Sequence, residues 1–374
     1  MHRAIISGTG LYTPPYAISN EQLVDAFNRY VARYNSEHAE EIAAGKLIAR
    51  LPSDCAFIES VSGIKNRYVI ESEGILDPRR MRPHFPQRPN EALSLQAELC
   101  VTAAREALAQ ADRRAEDIDA VIVACANMQR AYPAMAIEVQ HALGIDGFAY
   151  DLNVACSSAT FGLQAACNAV ESGSARAVLM VNPEITSAHL NFKDRDSHFI
   201  FGDVCTAVIV ERAEQRTGRG DYEVLSTRLM THYSNTIRNN FGFMNRCEDA
   251  EPDADDKLFV QEGRKVFKDV VPMVIKLLVE HLADNRLTPS DLRCLWLHQA
   301  NLRMNQLIVE KLLGREATRD EAPTILDDYA NTASAGSIIA FHKHREHMRP
   351  RDLGVICSFG AGYSIGNILV RKLD

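Results

Sequence analysis

A unit of helix, loop and apolar strand occurs twice in this chain, and that duplication limits the possible folds more than any other feature. In the first copy an Ala- and Leu-rich segment of helical spacing runs from Glu91 to Asp112. Asp117-Ile118-Asp119-Ala120 follows, and the apolar run Val121 to Ala124 ends in Cys125-Ala126-Asn127. In the second, an apolar-periodic helix between Val266 and Asn285 leads through Ser290-Asp291-Leu292-Arg293 and the run Cys294 to Leu297 into His298-Gln299-Ala300-Asn301. One constant shift lays Leu108 on Leu282, Asp117 on Asp291, Ile118 on Leu292, Ala126 on Ala300 and Asn127 on Asn301. A shift one residue longer lays Ala155-Cys156-Ser157 on Ala330-Asn331-Thr332, each ahead of an apolar segment.

Strand patterns follow in both copies, Ala177 to Val181 and Val355 to Ser358, and each copy closes on an alternating strand, Thr206 to Val210 and Asn367 to Val370. Helices alternating with apolar strands predict parallel-type sheets covered by helices. The expected architecture is α/β, two similar halves spanning 1–212 and 213–374. The polar strand-end residues Cys156, His298 and Asn331 should meet at their junction. Segments at about 26–56 and 72–90 fall outside the duplication, the second carrying Arg79-Arg80-Met81-Arg82-Pro83 and Arg88-Pro89. The first, from Ala26 to Asp54, has a mixed, partly charged helical pattern; both are expected to be surface insertions or substrate-covering loops, as is the polar region Arg216 to Asp256.

Composition closes off several functions. At 374 residues, 46% apolar and 24% charged, the chain can bury a deep core. The net charge of -8 comes with scattered basic residues, which gives nucleic-acid binding no support. The apolar run at Ala4-Ile5-Ile6 is ended by Gly8 too early for a signal peptide, and the chain lacks an apolar stretch long enough to span a membrane, so a cytoplasmic location is expected. The nine cysteines are odd in number and form no CxxC pair, which predicts reduced thiols with neither zinc nor a disulfide framework.

Cys156 stands between an apolar strand and an apolar helix. There a sulfur would face unpaired backbone N–H groups and the positive end of the helix dipole, so its thiolate should be favoured. Ser157 and Ser158 are available to cap that helix, and the small residues around the thiol leave room for a bound ester. His298 ends the second-half strand, where a histidine serves either as general base or, when neutral, as an N–H donor to an oxyanion. Asn331 read alone is a helix-capping residue. The turn Phe359-Gly360-Ala361-Gly362 lets backbone N–H groups approach a ligand oxygen.

Taken together, Val154-Ala155-Cys156-Ser157-Ser158-Ala159, Phe201-Gly202-Asp203, Val266-Phe267-Lys268, His298-Gln299-Ala300-Asn301-Leu302-Arg303, Asn331-Thr332-Ala333-Ser334-Ala335 and Phe359-Gly360-Ala361-Gly362 resemble, in order, the motifs of the β-ketoacyl-acyl-carrier-protein synthase III family of the thiolase superfamily. The resemblance covers Ala4 to Val24 and nearly everything from Glu91 onward. It implies a five-layered αβαβα fold, a homodimer, and a Cys156-His298-Asn331 triad in which Cys156 takes an acyl group from acyl-CoA. Condensation with a malonyl group on acyl carrier protein, with loss of CO2, would follow. It further implies an oxyanion site from the backbone N–H groups of Cys156 and Ala361. Arg303, Lys268, Arg264 and Lys311 would receive the carrier protein and the phosphates of coenzyme A. Tyr132 would act from the neighbouring subunit to limit the acyl pocket, and Phe57 as an adenine-stacking ring. No metal and no permanently bound cofactor is implied; the coenzyme A thioester is substrate.

The chain departs from that pattern at Val61, where the family often has Arg, and at Ala361, a usual Gly. The long insertions suggest a longer acyl group than acetyl. The alternatives are a non-decarboxylating acyltransferase or a hydroxymethylglutaryl-CoA synthase-like enzyme, which share the triad. A degradative thiolase would need histidine where Asn331 stands and a cysteine in the C-terminal turn, whereas Cys357 lies three residues ahead of Gly360. A cysteine hydrolase would need a carboxylate to orient His298, and a non-catalytic member would be free to lose Cys156.

Overall fold

The computed structural model describes residues 2–216, 221–249, 251 and 254–374, so part of the polar region predicted at Arg216 to Asp256 lies outside the described residues. Strands Ala4–Tyr12 (β1), Ala120–Ala124 (β2), Phe148–Leu152 (β3), Ala177–Glu184 (β4), Val204–Arg212 (β5), Tyr222–Ser234 (β6), Leu292–Leu297 (β7), Leu353–Gly360 (β8) and Gly362–Lys372 (β9) form one sheet. Its order is β7-β8-β9-β6-β1-β5-β4-β2-β3. First-half strands lie on one side and second-half strands on the other. The seam between β1 and β6 pairs only Ile5 with Glu223 and Ile6 with Tyr222, so the sheet is two lobes joined at one short contact.

Sequence reasoning expected parallel-type sheets, and the structure corrects this in part. Parallel pairing is confined to β3-β2-β4 and β7-β8. The closing strands β5 and β9 turn back antiparallel, because each follows its predecessor without a crossover helix; β8 and β9 are separated by Ala361 alone.

Eight helices matter to the site: Asn20–Glu37 (α1), Cys55–Ser62 (α2), Leu95–Ala111 (α3), Met135–Leu143 (α4), Ser158–Ser172 (α5), Gly263–Asp284 (α6), Leu302–Leu313 (α7) and Gly336–His344 (α8). Helix α5 packs on β4, β5 and β2 of one lobe and on β9 and β8 of the other, and α8 packs on β7, β8 and β1. They form a central layer. α3 and α4 cover the outer face of the first lobe, and α6 and α7 the outer face of the second. The result is five layers, αβαβα. The central core holds Leu163, Val170, Met180, Trp296 and Phe341, and each outer interface has its own apolar cluster.

The first inserted segment is helical, as its pattern predicts, and it helps to build a core of its own. α1 begins at a capping box in which Ser19 and Gln22 satisfy each other's backbone N–H groups. Its Leu23 and Phe27 join Ile58, Ile75, Met81, Phe192 and Phe201 in a separate apolar core. Arg67 is buried beneath it, its guanidinium bonded to the Ile18 and Phe199 carbonyls and Asn20 Oδ1, with burial lowering its pKa to about 9.

All nine cysteines are free. Among the described residues no helix is long and apolar enough to cross a membrane.

Candidate active site

The duplicated loops carry the site. Asp117 bonds the Arg114 N–H at 2.8 Å and Asp291 the Thr288 N–H at 2.7 Å, each in a short turn opening the next strand, as the first shift predicts. The second shift is wrong by three residues. Asn153 Oδ1 accepts from the Ala155 N–H at 2.9 Å, and Asn331 Oδ1 accepts from the Ala333 N–H at 2.9 Å. Ala155 and Ala333 both take φ +46°, inside single 3-10 turns that precede α5 and α8. The counterpart of Asn331 is therefore Asn153, and Ser334 is the counterpart of Cys156. Small residues ahead of an apolar helix fit either register in one dimension; the side-chain hook onto a left-handed alanine decides it.

Cys156 sits in the turn Ala155–Ser157, ahead of the first turn of α5. Ser157 Oγ does not cap that helix. It donates to the Ser364 carbonyl at 3.0 Å, and Ser364 Oγ reaches Ser157 Oγ and the Ala361 carbonyl, both at 2.9 Å. These bonds fasten the cysteine turn to the C-terminal turn. A Cβ on Gly360 would lie 2.4 Å from Cys156 Cβ and 3.0 Å from its sulfur, so only glycine lets β8 end there. Gly362 adopts φ +131°, whereas Ala361 keeps the negative φ its side chain requires. The backbone N–H groups of Ala361 and of Cys156 itself both face the sulfur.

The expected thiolate is overturned. Burial pushes the Cys156 thiol up to about 12, the nearby Glu184 carboxylate adds to the rise, and the two backbone N–H groups offset only part of it. Desolvation is the largest influence on the thiol, greater than the help of the two backbone N–H groups that face it. At neutral pH the balance of these influences favours the thiol over the thiolate.

His298 ends β7. Its backbone N–H donates to the Cys357 carbonyl at 2.7 Å, and its own carbonyl accepts from Asn305 Nδ2 at 2.9 Å. The ring meets Phe359 edge-on at 5.3 Å, next to the glycine that supports Cys156. Burial lowers its pKa to about 4, partly offset by a backbone hydrogen bond with Ala333. The imidazole is therefore neutral near pH 7 and able to donate. Asn331 is buried and clamped by its backbone, its N–H to the Ile200 carbonyl at 3.0 Å and its carbonyl from the Gly202 N–H at 3.1 Å. This gives the Phe201-Gly202-Asp203 motif a physical task. Since Ala333 occupies Oδ1, the Nδ2 end of the carboxamide is the part left to meet a substrate. Ala333 thus links His298 to Asn331, and the Phe359-Gly360-Ala361 segment links His298 to Cys156.

Sequence reasoning missed Glu184, buried at the end of β4. Its carboxylate accepts from the Ala126 N–H at 3.2 Å, from the Ser334 N–H at 3.2 Å, from Ser334 Oγ and from the Cys125 thiol. The signal was available: Glu184 follows an apolar strand just as His298 does.

The other anticipated residues are dispersed. Arg264, Lys268, Arg303 and Lys311 are exposed on α6 and α7, in the outer layer of the second lobe. Phe57 is not an open stacking platform, because the Arg195 guanidinium lies 4.1 Å above its ring and Phe199 meets its edge. Tyr132 is 85% exposed between β2 and α4. A cavity of about 1410 Å³ opens beside the junction. The insertions supply Arg50, Arg80 and Arg88 to its wall, the chain next to Ala126 and Glu184 supplies Met128 and Ile185, and Phe192 adds an apolar surface.

Comparison with known proteins places this geometry. The family described as 3-Oxoacyl-[acyl-carrier-protein (ACP)] synthase III matches residues 150–232, and its C-terminal domain matches residues 282–372. A β-ketodecanoyl-[acyl-carrier-protein] synthase of Pseudomonas aeruginosa is 60% identical over 349 residues, covering 93% of this chain and 100% of that protein. A β-ketoacyl-[acyl-carrier-protein] synthase III of Granulibacter bethesdensis is 28% identical over 99% of this chain and 100% of its own length. In fold, the chain superimposes on the 3-oxoacyl-[acyl-carrier-protein] synthase III of Aquifex aeolicus with a TM-score of 0.76 at 24% identity, covering 98% of this chain and 99% of that one. The priming β-ketosynthase of the R1128 polyketide pathway matches with a TM-score of 0.77 at 24% identity, covering 100% and 96%. The chain belongs to the 3-oxoacyl-acyl-carrier-protein synthase III family of condensing acyltransferases, in the thiolase superfamily.

Proposed function

We propose that this chain joins a medium-chain acyl group, taken from acyl-CoA, to the two-carbon unit of malonyl-acyl-carrier protein in fatty acid or related lipid synthesis. Cys156, His298 and Asn331 would carry the chemistry. The observation that supports this reading is that Ala333 engages both His298 and the Asn331 carboxamide while the neighbouring Phe359 and Gly360 lie against His298 and Cys156, with the Cys156 and Ala361 N–H groups favouring the thiolate against its burial.

In the first step the Cys156 sulfur attacks the thioester carbonyl, its S–H proton leaves as the C–S bond forms, and the departing coenzyme A sulfur takes up a proton. The oxyanion is held by the Cys156 and Ala361 N–H groups. In the second, the malonyl carboxylate departs as CO2 and leaves an enolate on the carrier thioester. Neutral His298 and the Asn331 Nδ2–H hold its oxygen without surrendering a proton, so the enolate carbon stays nucleophilic. That carbon attacks the acyl-Cys156 carbonyl, and the sulfur leaves as the thiolate and takes up a proton from water. Each donor to the developing charge is typically worth about 3 kcal/mol of barrier.

Three features support the details. A condensation that ends in a β-ketodecanoyl product, the one named for the Pseudomonas aeruginosa relative, starts from octanoyl, because malonyl contributes two carbons. β3 is the outermost strand of its lobe, with Phe148 and Tyr150 stacked and partly exposed. Such an edge favours pairing with a second copy, hence a homodimer in which Tyr132 of the partner subunit trims the acyl pocket. The exposed cations Arg264, Lys268 and Arg303 suit an acidic carrier protein. We place the protein in the cytoplasm, where acyl-CoA and carrier protein meet, with residues 1–212 and 213–374 as its two halves.

The test is a ladder of acyl-CoAs followed by malonyl-carrier protein, read by intact mass and CO2 release. The expected result is strongest adduct formation with octanoyl-CoA and a β-ketodecanoyl-carrier product. An adduct that transfers to an acceptor without CO2 release would overturn the reading in favour of a non-decarboxylating transferase.

A further inference from the structure

Glu184 belongs to neither the nucleophile nor the donors, yet it touches the chain on both sides of the seam. Toward the second half its carboxylate accepts both the N–H and the hydroxyl of Ser334. Ser334 lies three residues after Asn331 and next to Ala333, the residue that engages both Asn331 and His298. Toward the first half it accepts the Ala126 N–H at 3.2 Å. The Ala126 carbonyl in turn accepts from Asn153 Nδ2 at 2.9 Å, and Asn153 Oδ1 accepts from the Ala155 N–H at 2.9 Å, one residue before Cys156. A single carboxylate, 1% exposed, therefore stands between the two left-handed turns that present the thiol and the carboxamide. No Lys or Arg side chain bonds it among the described residues, so hydrogen bonds alone hold it; a buried acid retained in this manner is costly unless its geometry is used.

We propose that Glu184 is a positioning residue that sets the Asn331 turn against the Cys156 turn, so that the enolate forms within reach of the acyl-enzyme. The proposal rests on the roles given above to Cys156, His298 and Asn331. Acylation uses the first turn only, while condensation needs both turns in register. Glu184 therefore acts on the second step more than the first.

The experiment compares Glu184→Gln, Ser334→Ala and the double variant with wild type in the full-length protein. Cys156 acylation is read by intact mass, condensation by single-turnover release of CO2 from malonyl-carrier protein, and folding by thermal melting. Glutamine keeps the shape but turns one acceptor into a donor that faces the Ala126 or Ser334 N–H groups. The expected result is condensation slowed by roughly tenfold in each single variant, acylation within about threefold of wild type, and a double variant no slower than the worse single, as for partners in one interaction. Wild-type condensation in Glu184→Gln, multiplied losses in the double variant, or equal decline of both steps would overturn the proposal. Should Glu184→Gln lose its cooperative melt, Ser334→Ala decides alone, because it keeps the carboxylate and removes one bond; slowed condensation with normal acylation supports the proposal, and anything else overturns it. Asn331→Ala, run alongside, separates the two levels. If it fails to split condensation from acylation, the role assignment falls and the proposal with it. If it splits them and Glu184→Gln behaves as wild type, only the proposal falls.

Discussion

The turn that carries Cys156 and the turn that carries Asn331 have the same backbone and opposite employments. Each begins with an asparagine hooked onto the N–H two residues on, passes through an alanine at φ +46°, and feeds a central-layer helix. In the proposed mechanism the fourth residue of the first turn, Cys156, is the working group and Asn153 is a strut to Ala126. In the second the asparagine is the working group and the fourth residue, Ser334, is a strut to Glu184. The fold supplies two equivalent presentation sites, and their surroundings decide which side chain is used. Only the first lies against Gly360 and the paired N–H groups of Cys156 and Ala361.

The sharpest way to break the comparison is to move the thiol. Cys156→Ala should remove acylation by at least about 10⁴-fold. Adding Ser334→Cys to it should restore no acyl adduct by mass, since the matched position lacks the Ala361 N–H; a new adduct at position 334 would show that the backbone alone makes a nucleophile. Next in size, Gly360→Ala forces the new methyl against Cys156 and should slow acylation by about 10²-fold in single-turnover assays with the melt retained. Unchanged acylation would mean that the close approach of β8 is dispensable.

The proposed triad was drawn from polar residues, Cys156, His298 and Asn331, that follow apolar strands or open apolar helices, and the structure brings the segments that carry them together at the seam of the duplicated α/β fold. Register within the second repeat was not legible, since two small-residue patterns fitted and the deciding hydrogen bonds span only three residues. Nor was the protonation state of Cys156. A helix N-terminus is visible in one dimension, whereas the enclosure that raises the thiol is assembled from β8, β9 and Glu184. The helical character of the first insertion was legible, but the separate core beneath it was not, because Phe27 finds its apolar partners, Phe192 and Phe201, far along the chain.

Smaller effects sharpen the contrast. Asn153→Ala removes the hook from the first turn, a hydrogen bond worth about 1 kcal/mol. Acylation should fall roughly fivefold, with condensation of preloaded enzyme nearly unchanged; the reverse pattern would show that the struts are shared. In pH dependence, a thiol raised to about 12 predicts iodoacetamide labelling of Cys156 that climbs steadily from pH 7 to 10 with no plateau. A plateau below pH 8 would restore the thiolate. A His298 pKa lowered to about 4 likewise predicts that His298 adds no break near pH 6.5, its own acid limb lying nearer pH 4; a break near pH 7 that disappears in Glu184→Gln belongs to the Glu184 carboxyl, which burial raises to about 7.

The most direct measurement loads Asn331→Ala with octanoyl-CoA, adds malonyl-carrier protein, and follows the acyl-Cys156 mass over time. The adduct should form near the wild-type rate and then persist, discharging on the order of 10²-fold more slowly than wild type. Failure to form the adduct, or discharge at the wild-type rate, would contradict the division of labour between the two turns.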